Sequence, residues 1–393
     1  MTFLTGYLFT LFLAGPVASR PAASDLLDNV VEVLVNRYYD RELREDLPEL
    51  ARPYLERFSR ASSPREERAV VHEFLAQIPV SHLGLVSEDA HDSLWAELRG
   101  DDQWTYGFQL ARLEEGWFVD WVYEGGPADS AGLARGDQIL SIDGIAPGES
   151  PVVDWRSDDA ALPDTPLHGL RCSSGSRVQL LLQRSEGRVG RLDLPAQQYS
   201  AWRACQESVT VHEVGGVRVG YVHYWMIHIN NSSSFLRELC RERFAGCDAL
   251  VLDLRGRGGA AQQAFGMIRA LDRDRGVWRK PVVALVHADS RSAKEVIAHE
   301  LQAEGDALIV GEKTHGAVIP ASFEDVGQGA VLMFPSFTLG RYTDQIEGTG
   351  VTPDIRVDYP LAWTAGADPI LEAGLEAARA WCSSLEASDE DRR

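Results

Sequence analysis

The chain has 393 residues, long enough for two or three domains with separate cores. Its 45% apolar and 25% charged content is ordinary for a globular protein. A formal net charge of −21 argues against nucleic acid and anionic membrane surfaces as partners, since both need clustered Lys and Arg.

From Phe3 to Ala18 nothing is charged, and small residues stand at Ala14, Ala18 and Ser19. That pattern reads as a signal peptide over 1–19, although its basic start is missing. Export to a periplasmic or extracellular space is expected, with an uncleaved anchor as the alternative. The run is short for a membrane span and is broken at Gly15-Pro16, and no other stretch could span, so no stable membrane insertion is expected.

Residues 25–100 carry helical spacing, first at Leu26, Val30, Val33 and Leu34, then over Leu47–Phe58 and Ser63–Ile78. Ser63-Pro64 followed by Glu66-Glu67 marks a helix start. Over 101–195 the pattern becomes short strands, interrupted by Gly125-Gly126-Pro127-Ala128 and an Asp143-Gly144 hairpin turn. From 210 to 360 strands alternate with helices: strands at Val217–Tyr224, Ala249–Leu254, Val282–Val286 and Ala307–Val310, helices at Ser233–Phe244, Ala261–Leu271 and Ser292–Ala303. This implies a parallel sheet with helices packed on it, whose chemistry lies at the carboxyl ends of the strands, after Leu254 and after Val286. Residues 383–393 read as an acidic disordered tail. The five cysteines fit no zinc or redox spacing; they allow one or two disulfides or buried thiols.

Two segments carry chemistry. Ser292 would stand at a helix amino terminus, where free N–H groups stabilise developing negative charge. Ser292-x-x-Glu295 is equally a capping box. Asp253-Leu254-Arg255-Gly256-Arg257-Gly258-Gly259 lets backbone N–H groups converge on an anion, and it lacks the Gly-Lys-Ser/Thr ending of a P-loop.

With Gly126-Pro127-Ala128 through Gly144, Asp253–Gly259, Ser290–Glu295, Gly311-Glu312-Lys313-Thr314 and Glu347–Asp354, the sequence resembles the C-terminal processing (tail-specific) serine peptidases and their tricorn-like relatives. The resemblance runs from about Asp25 to Tyr359. It implies an α/β multidomain protein: a helical domain, a mainly β PDZ domain and a crotonase-like catalytic core.

It places the nucleophile on Ser292 and the oxyanion-hole amides on Ala293 and Gly259 or Gly258. Substrate carboxyl termini would add as a strand to Gly107, Phe108, Gln109 and Leu110. The processing peptidases keep a general-base lysine where this chain has Ala317. The tricorn-like branch uses a histidine, which falls on His82, with Ser81 and Glu347 to orient it. Lys313 or Lys294 is the alternative base, although Lys294 lies about 200° round the helix from Ser292. The expected activity is serine-type hydrolysis of protein or peptide substrates without metal or cofactor. The alternative is an inactive homologue serving as a peptide-binding scaffold.

Overall fold

The computed structural model describes residues 26–156, 167–184 and 187–390, so the signal-peptide reading of 1–19 lies outside the described residues. The amino-terminal part comprises helices α1 (Leu26–Arg37), α2 (Arg41–Ser59) and α3 (Pro64–Leu75), strand β1 (Gly84–Ser87) and helix α4 (Glu88–Arg99). Ser63 caps α3 by accepting from the Glu66 N–H, with Pro64 in the first turn. Helix α2 starts six residues before the expected Leu47, at Arg41, because Asp40 caps it by accepting from the Glu42 and Leu43 N–H groups.

The middle domain holds β2 (Gln103–Thr105), β3 (Phe108–Leu113), β4 (Gly116–Val122), the single turn α5 (Pro127–Ser130), β5 (Gln138–Ile142), β6 (Val153–Arg156), β7 (Leu167–Leu170), β8 (Arg177–Gln183), β9 (Val189–Pro195) and β10 (Gln197–Tyr199). Seven strands form one sheet in the order β6-β7-β3-β4-β5-β8-β9, and β10 pairs with β2. The Asp143-Gly144 turn adopts φ values of 53° and 81°, the left-handed pair that a two-residue hairpin turn needs.

The third part runs through α6 (Ala201–Glu207), β11 (Thr210–Val214), β12 (Val217–His223), α7 (Ser232–Arg241), β13 (Ala249–Asp253), α8 (Ala261–Leu271), β14 (Val282–Val286), α9 (Ala293–Ala303), β15 (Leu308–Gly311), β16 (Ala321–Gly327), β17 (Ala330–Pro335), α10 (Arg341–Ile346), β18 (Ile355–Arg356) and α11 (Pro369–Glu390). Its sheet has the order β11-β12-β13-β14-β15-β18, with β12 to β15 and β18 mutually parallel. Strands that are neighbours in both chain and sheet place their right-handed crossovers on one face. Leu250, Leu252, Val282 and Ala284 accordingly pack with Leu236, Met267 and Ile297 of α7, α8 and α9. The alternate residues Val251, Val283 and Leu285 meet Ile370, Ala378 and Cys382 of α11 on the other face.

Three expectations are corrected. Residues 383–390 continue helix α11 instead of forming a disordered tail, since its apolar face carries Cys382 onto the sheet. All five cysteines are free thiols, four of them buried, so the possible disulfides are absent. The helical domain is also not closed within 25–100. Strand β1 pairs antiparallel with β17 (Gly84↔Met333, Ser87↔Ala330), and Val326, Leu332 and Phe334 complete the helical core. The segment before β1 is thereby carried to the third part, across the whole inserted middle domain.

Phe334 is fully buried at this seam. Phe334→Ala should cost about 3–5 kcal/mol, the range for truncating a buried aromatic. Urea unfolding of the helical part reads this, and a loss under about 1 kcal/mol would mean the seam contributes little.

Candidate active site

Strands β13 and β14 are parallel neighbours, so the segments leaving their carboxyl ends emerge side by side. Ser292 ends the second segment with φ 58° and ψ −125° at the amino terminus of α9. A non-glycine residue there is strained, at a cost on the order of 1–3 kcal/mol, and such strain is retained where surroundings enforce it.

The enforcing contacts are visible. The Ser292 N–H donates to the Ala317 carbonyl at 2.8 Å and to the Glu295 carboxylate at 3.1 Å. Glu295, fully buried, also accepts from the Thr314 hydroxyl at 2.5 Å and from the Gly316 and Ala317 N–H groups at 2.6 and 2.8 Å. Burial pushes its carboxyl pKa up, and these four donors pull it back. The capping box is therefore half of a larger clamp. Its other half is present too: the Glu295 N–H is directed to the Ser292 side chain and makes a 3.0 Å bond to the Ser292 carbonyl.

The glycine-rich loop lies directly against this serine. A Cβ on Gly258 would stand 2.5 Å from the Ser292 Cβ and 3.2 Å from its Oγ. Gly259 has φ 134°, and a Cβ there would sit 2.3 Å from the Ile227 carbonyl oxygen. Ile227 donates to Gly258 and accepts from Ala260, a parallel bridge that turns the Gly259 N–H to the opposite side. Among the described residues, nothing accepts from the Gly259 or Ala293 N–H.

The pairing of β1 with β17 brings in Ser81 and His82. His82 has φ 57°, and its Nδ1 is 2.9 Å from the Ser81 Oγ. The Ser81 N–H donates to Glu347 at 2.9 Å, whose other oxygen accepts from the Val318 and Ile319 N–H groups at 2.8 and 3.1 Å. Glu347 thus joins the segment carrying His82 to the segment that follows Ala317. Burial lowers the His82 pKa well below its usual 6.5, and Arg291, Arg257 and His315 lower it further. Arg291 precedes Ser292 and Arg257 precedes Gly258, so both charges that act on His82 adjoin the two segments of the site in the chain.

The two lysines separate. Lys313 is exposed. Lys294 is completely buried; burial lowers its pKa to about 7 against the upward pull of Asp253, and its ammonium donates to the Arg255 and Trp225 carbonyls at 2.6 and 3.0 Å. Ala317 carries no titratable group; its carbonyl accepts from the Ser292 N–H and its own N–H donates to Glu295.

The residues expected to take a peptide are engaged within the middle domain. The Gly107 N–H donates to the Thr105 Oγ1 at 2.9 Å, Phe108 and Leu110 are buried in the middle-domain core, and Gln109 accepts from the Trp121 indole at 2.9 Å. Strand β7 already pairs with β3 at Leu110↔His168, on the edge where a peptide would add.

Sequence reasoning missed the groups that brace the site from afar. Arg255 forms paired bonds to Asp253 and to Asp368, 2.7 Å to each Asp368 oxygen. From the middle domain, Glu124 reaches the His223 Nδ1 at 2.9 Å and accepts from the Trp225 indole. Asp368 and Glu124 lie far from the motif in the chain, so no local pattern could have signalled them.

Comparison with known proteins agrees with this architecture. Residues 269–357 match the model of Peptidase family S41, and residues 118–154 match that of a PDZ domain. The chain carries a peptidase S41 domain and a PDZ domain. It is 28% identical over 258 residues to a carboxyl-terminal-processing protease of Picosynechococcus, covering 58% of each chain. Against tricorn protease homolog 1 of Streptomyces coelicolor it is 26% identical over 404 residues, covering 92% of this chain and 36% of the relative. The chain therefore spans 58% and 36% of these two relatives' lengths. The photosystem II D1 C-terminal processing protease shares the fold with a TM-score of 0.52 and 19% identity, over 86% of this chain and 94% of that one.

The closeness of Gly258 to Ser292 can be tested. Gly258→Ala should destabilise by about 1–3 kcal/mol, the range for overpacking, read from thermal melting. Unchanged stability would mean that the loop and the helix tip stand further apart than described.

Proposed function

We propose that the chain is a serine peptidase in which Ser292 is the nucleophile and His82 the general base. The observation that carries this reading is the strained Ser292 backbone, clamped by Glu295 and seated against Gly258, with His82 in electrostatic reach of residues on both sides. For the base role the His82 Nδ1–H donates to the Ser81 Oγ, leaving the Nε2 lone pair to take the serine proton. Ser292 then attacks a peptide carbonyl, and the Gly259 and Ala293 N–H groups meet the oxyanion. His82 returns the proton to the leaving amine, and water hydrolyses the ester. Glu347 acts by fixing the Ser81 backbone. The identity of the base follows the tricorn-like branch, because Ala317 supplies no amine and Lys294 has both its identified bonds committed to carbonyls.

The substrates are proteins or peptides, and the apolar leader supports action after export. Capture of carboxyl termini by β3 is not part of the proposal, since β7 would first have to leave Leu110. The same pairing weighs against the scaffold reading, which needs an open edge.

Ser292→Ala should abolish hydrolysis of an unstructured protein substrate. His82→Ala should reduce kcat by at least about 10²–10⁴-fold, the contribution of a positioned base. Lys313→Ala should stay within about twofold of wild type, as surface substitutions do. A lysine variant as inactive as Ser292→Ala, beside an active His82→Ala, would reject the assignment. The pH profile supplies a second check. Because the folded environment lowers the His82 pKa, the imidazole stays neutral as pH falls through 6.5, so the acid limb of kcat/KM should lie below pH 6.5. An acid limb above that value would contradict the described surroundings of His82.

A further inference from the structure

Burying an ammonium costs several kcal/mol unless strong partners offset it, so a fully buried lysine calls for a role. Lys294 is such a residue, two positions past the nucleophile and pointing inward from α9. Its two carbonyl partners belong to different segments. Trp225 follows the carboxyl end of β12, and Arg255 follows that of β13. The loop curls round the ammonium: Gly256 has φ 92°, and a Cβ there would stand 3.4 Å from the Lys294 Nζ and 3.3 Å from the Trp225 carbonyl oxygen. Three residues further on, the same two segments are stitched again by the bonds of Ile227 to Gly258 and Ala260.

We infer that Lys294 is a positioning residue whose amine pins the Arg255 and Trp225 carbonyls and so holds the loop 256–259 against Ser292. A lysine amine retains two N–H donors after losing a proton, so both carbonyls stay held in either protonation state. The side chain acts through the loop and never touches substrate. Trp225 also carries the indole that bonds Glu124, so the pinned carbonyl lies on the segment against which the PDZ domain is seated. The catalytic meaning of this pin rests on the peptidase reading above, whereas the pin itself does not.

The test compares wild type with Lys294→Met by amide hydrogen exchange and by steady-state hydrolysis of the unstructured protein substrate. Exchange in 255–260 should rise at least about tenfold while β13 and β14 keep their protection, as expected for a local opening. The kcat should fall about 10–100-fold with KM within about twofold, the signature of a misplaced transition-state donor, and the acid limb should keep its position. Unchanged exchange in the folded variant overturns the inference. So does loss of protection across the whole sheet, which would make Lys294 merely structural. Loss of the acid limb with exchange unaltered would make it the base, and also overturns the inference. Absence of turnover by wild type would sink the peptidase reading alone, because the exchange result still decides the pin. Should Lys294→Met fail to fold, Lys294→Gln, whose shorter amide cannot reach both carbonyls, is judged by the same outcomes.

Discussion

The site depends first on one buried carboxylate. Glu295 gathers the Ser292 N–H, the Thr314 hydroxyl and the Gly316 and Ala317 N–H groups around its two oxygens. An ionised carboxylate in such a place is tolerable only because every lone-pair direction finds a donor. Without that convergence, the bond of the Ser292 N–H to the Ala317 carbonyl would have to hold Ser292 in its strained backbone conformation without the Glu295 carboxylate. The motif that reads as a helix cap thus also fastens Ser292 to the segment 314–317.

A second constraint is topological. His82 and Ser292 are separated in the chain by an entire inserted PDZ domain, yet β1, just after His82, runs antiparallel to β17 of the third part. Glu347 then ties the Ser81 backbone to the residues after Ala317. The chain has alanine at position 317, and the proposed base comes from the segment before β1. Past the carboxyl ends of β12 and β18, the PDZ domain is seated by Glu124 on His223 and Trp225, and by Arg135, whose guanidinium stacks 3.6 Å from the Tyr359 ring centroid.

Much of the sheet was legible because its strands are short, almost wholly apolar runs flanked by loops, and its helices have a clear apolar stripe. Ser292 and the glycine loop followed from their places after β14 and β13. What sequence could not reveal was non-local pairing. The β16–β17 hairpin carries no signal that its partner is β1, some 250 residues away by the register of Gly84 with Met333. Residues 153–170 gave no pattern that would place β7 on the β3 edge. The last residues were misread because acidity was taken for solvation, although Ile370, Ala378 and Cys382 recur at helical spacing on a buried face. Helical spacing alone says nothing of the carbonyl partners of Lys294, which lie 39 and 69 residues distant.

The most direct measurement is labelling of the native protein with a fluorophosphonate, followed by mass mapping of the adduct. The account predicts one adduct, on Ser292, formed at least about 100-fold more slowly when His82 is replaced by alanine. No adduct at Ser292, or labelling at the same rate without His82, would contradict it.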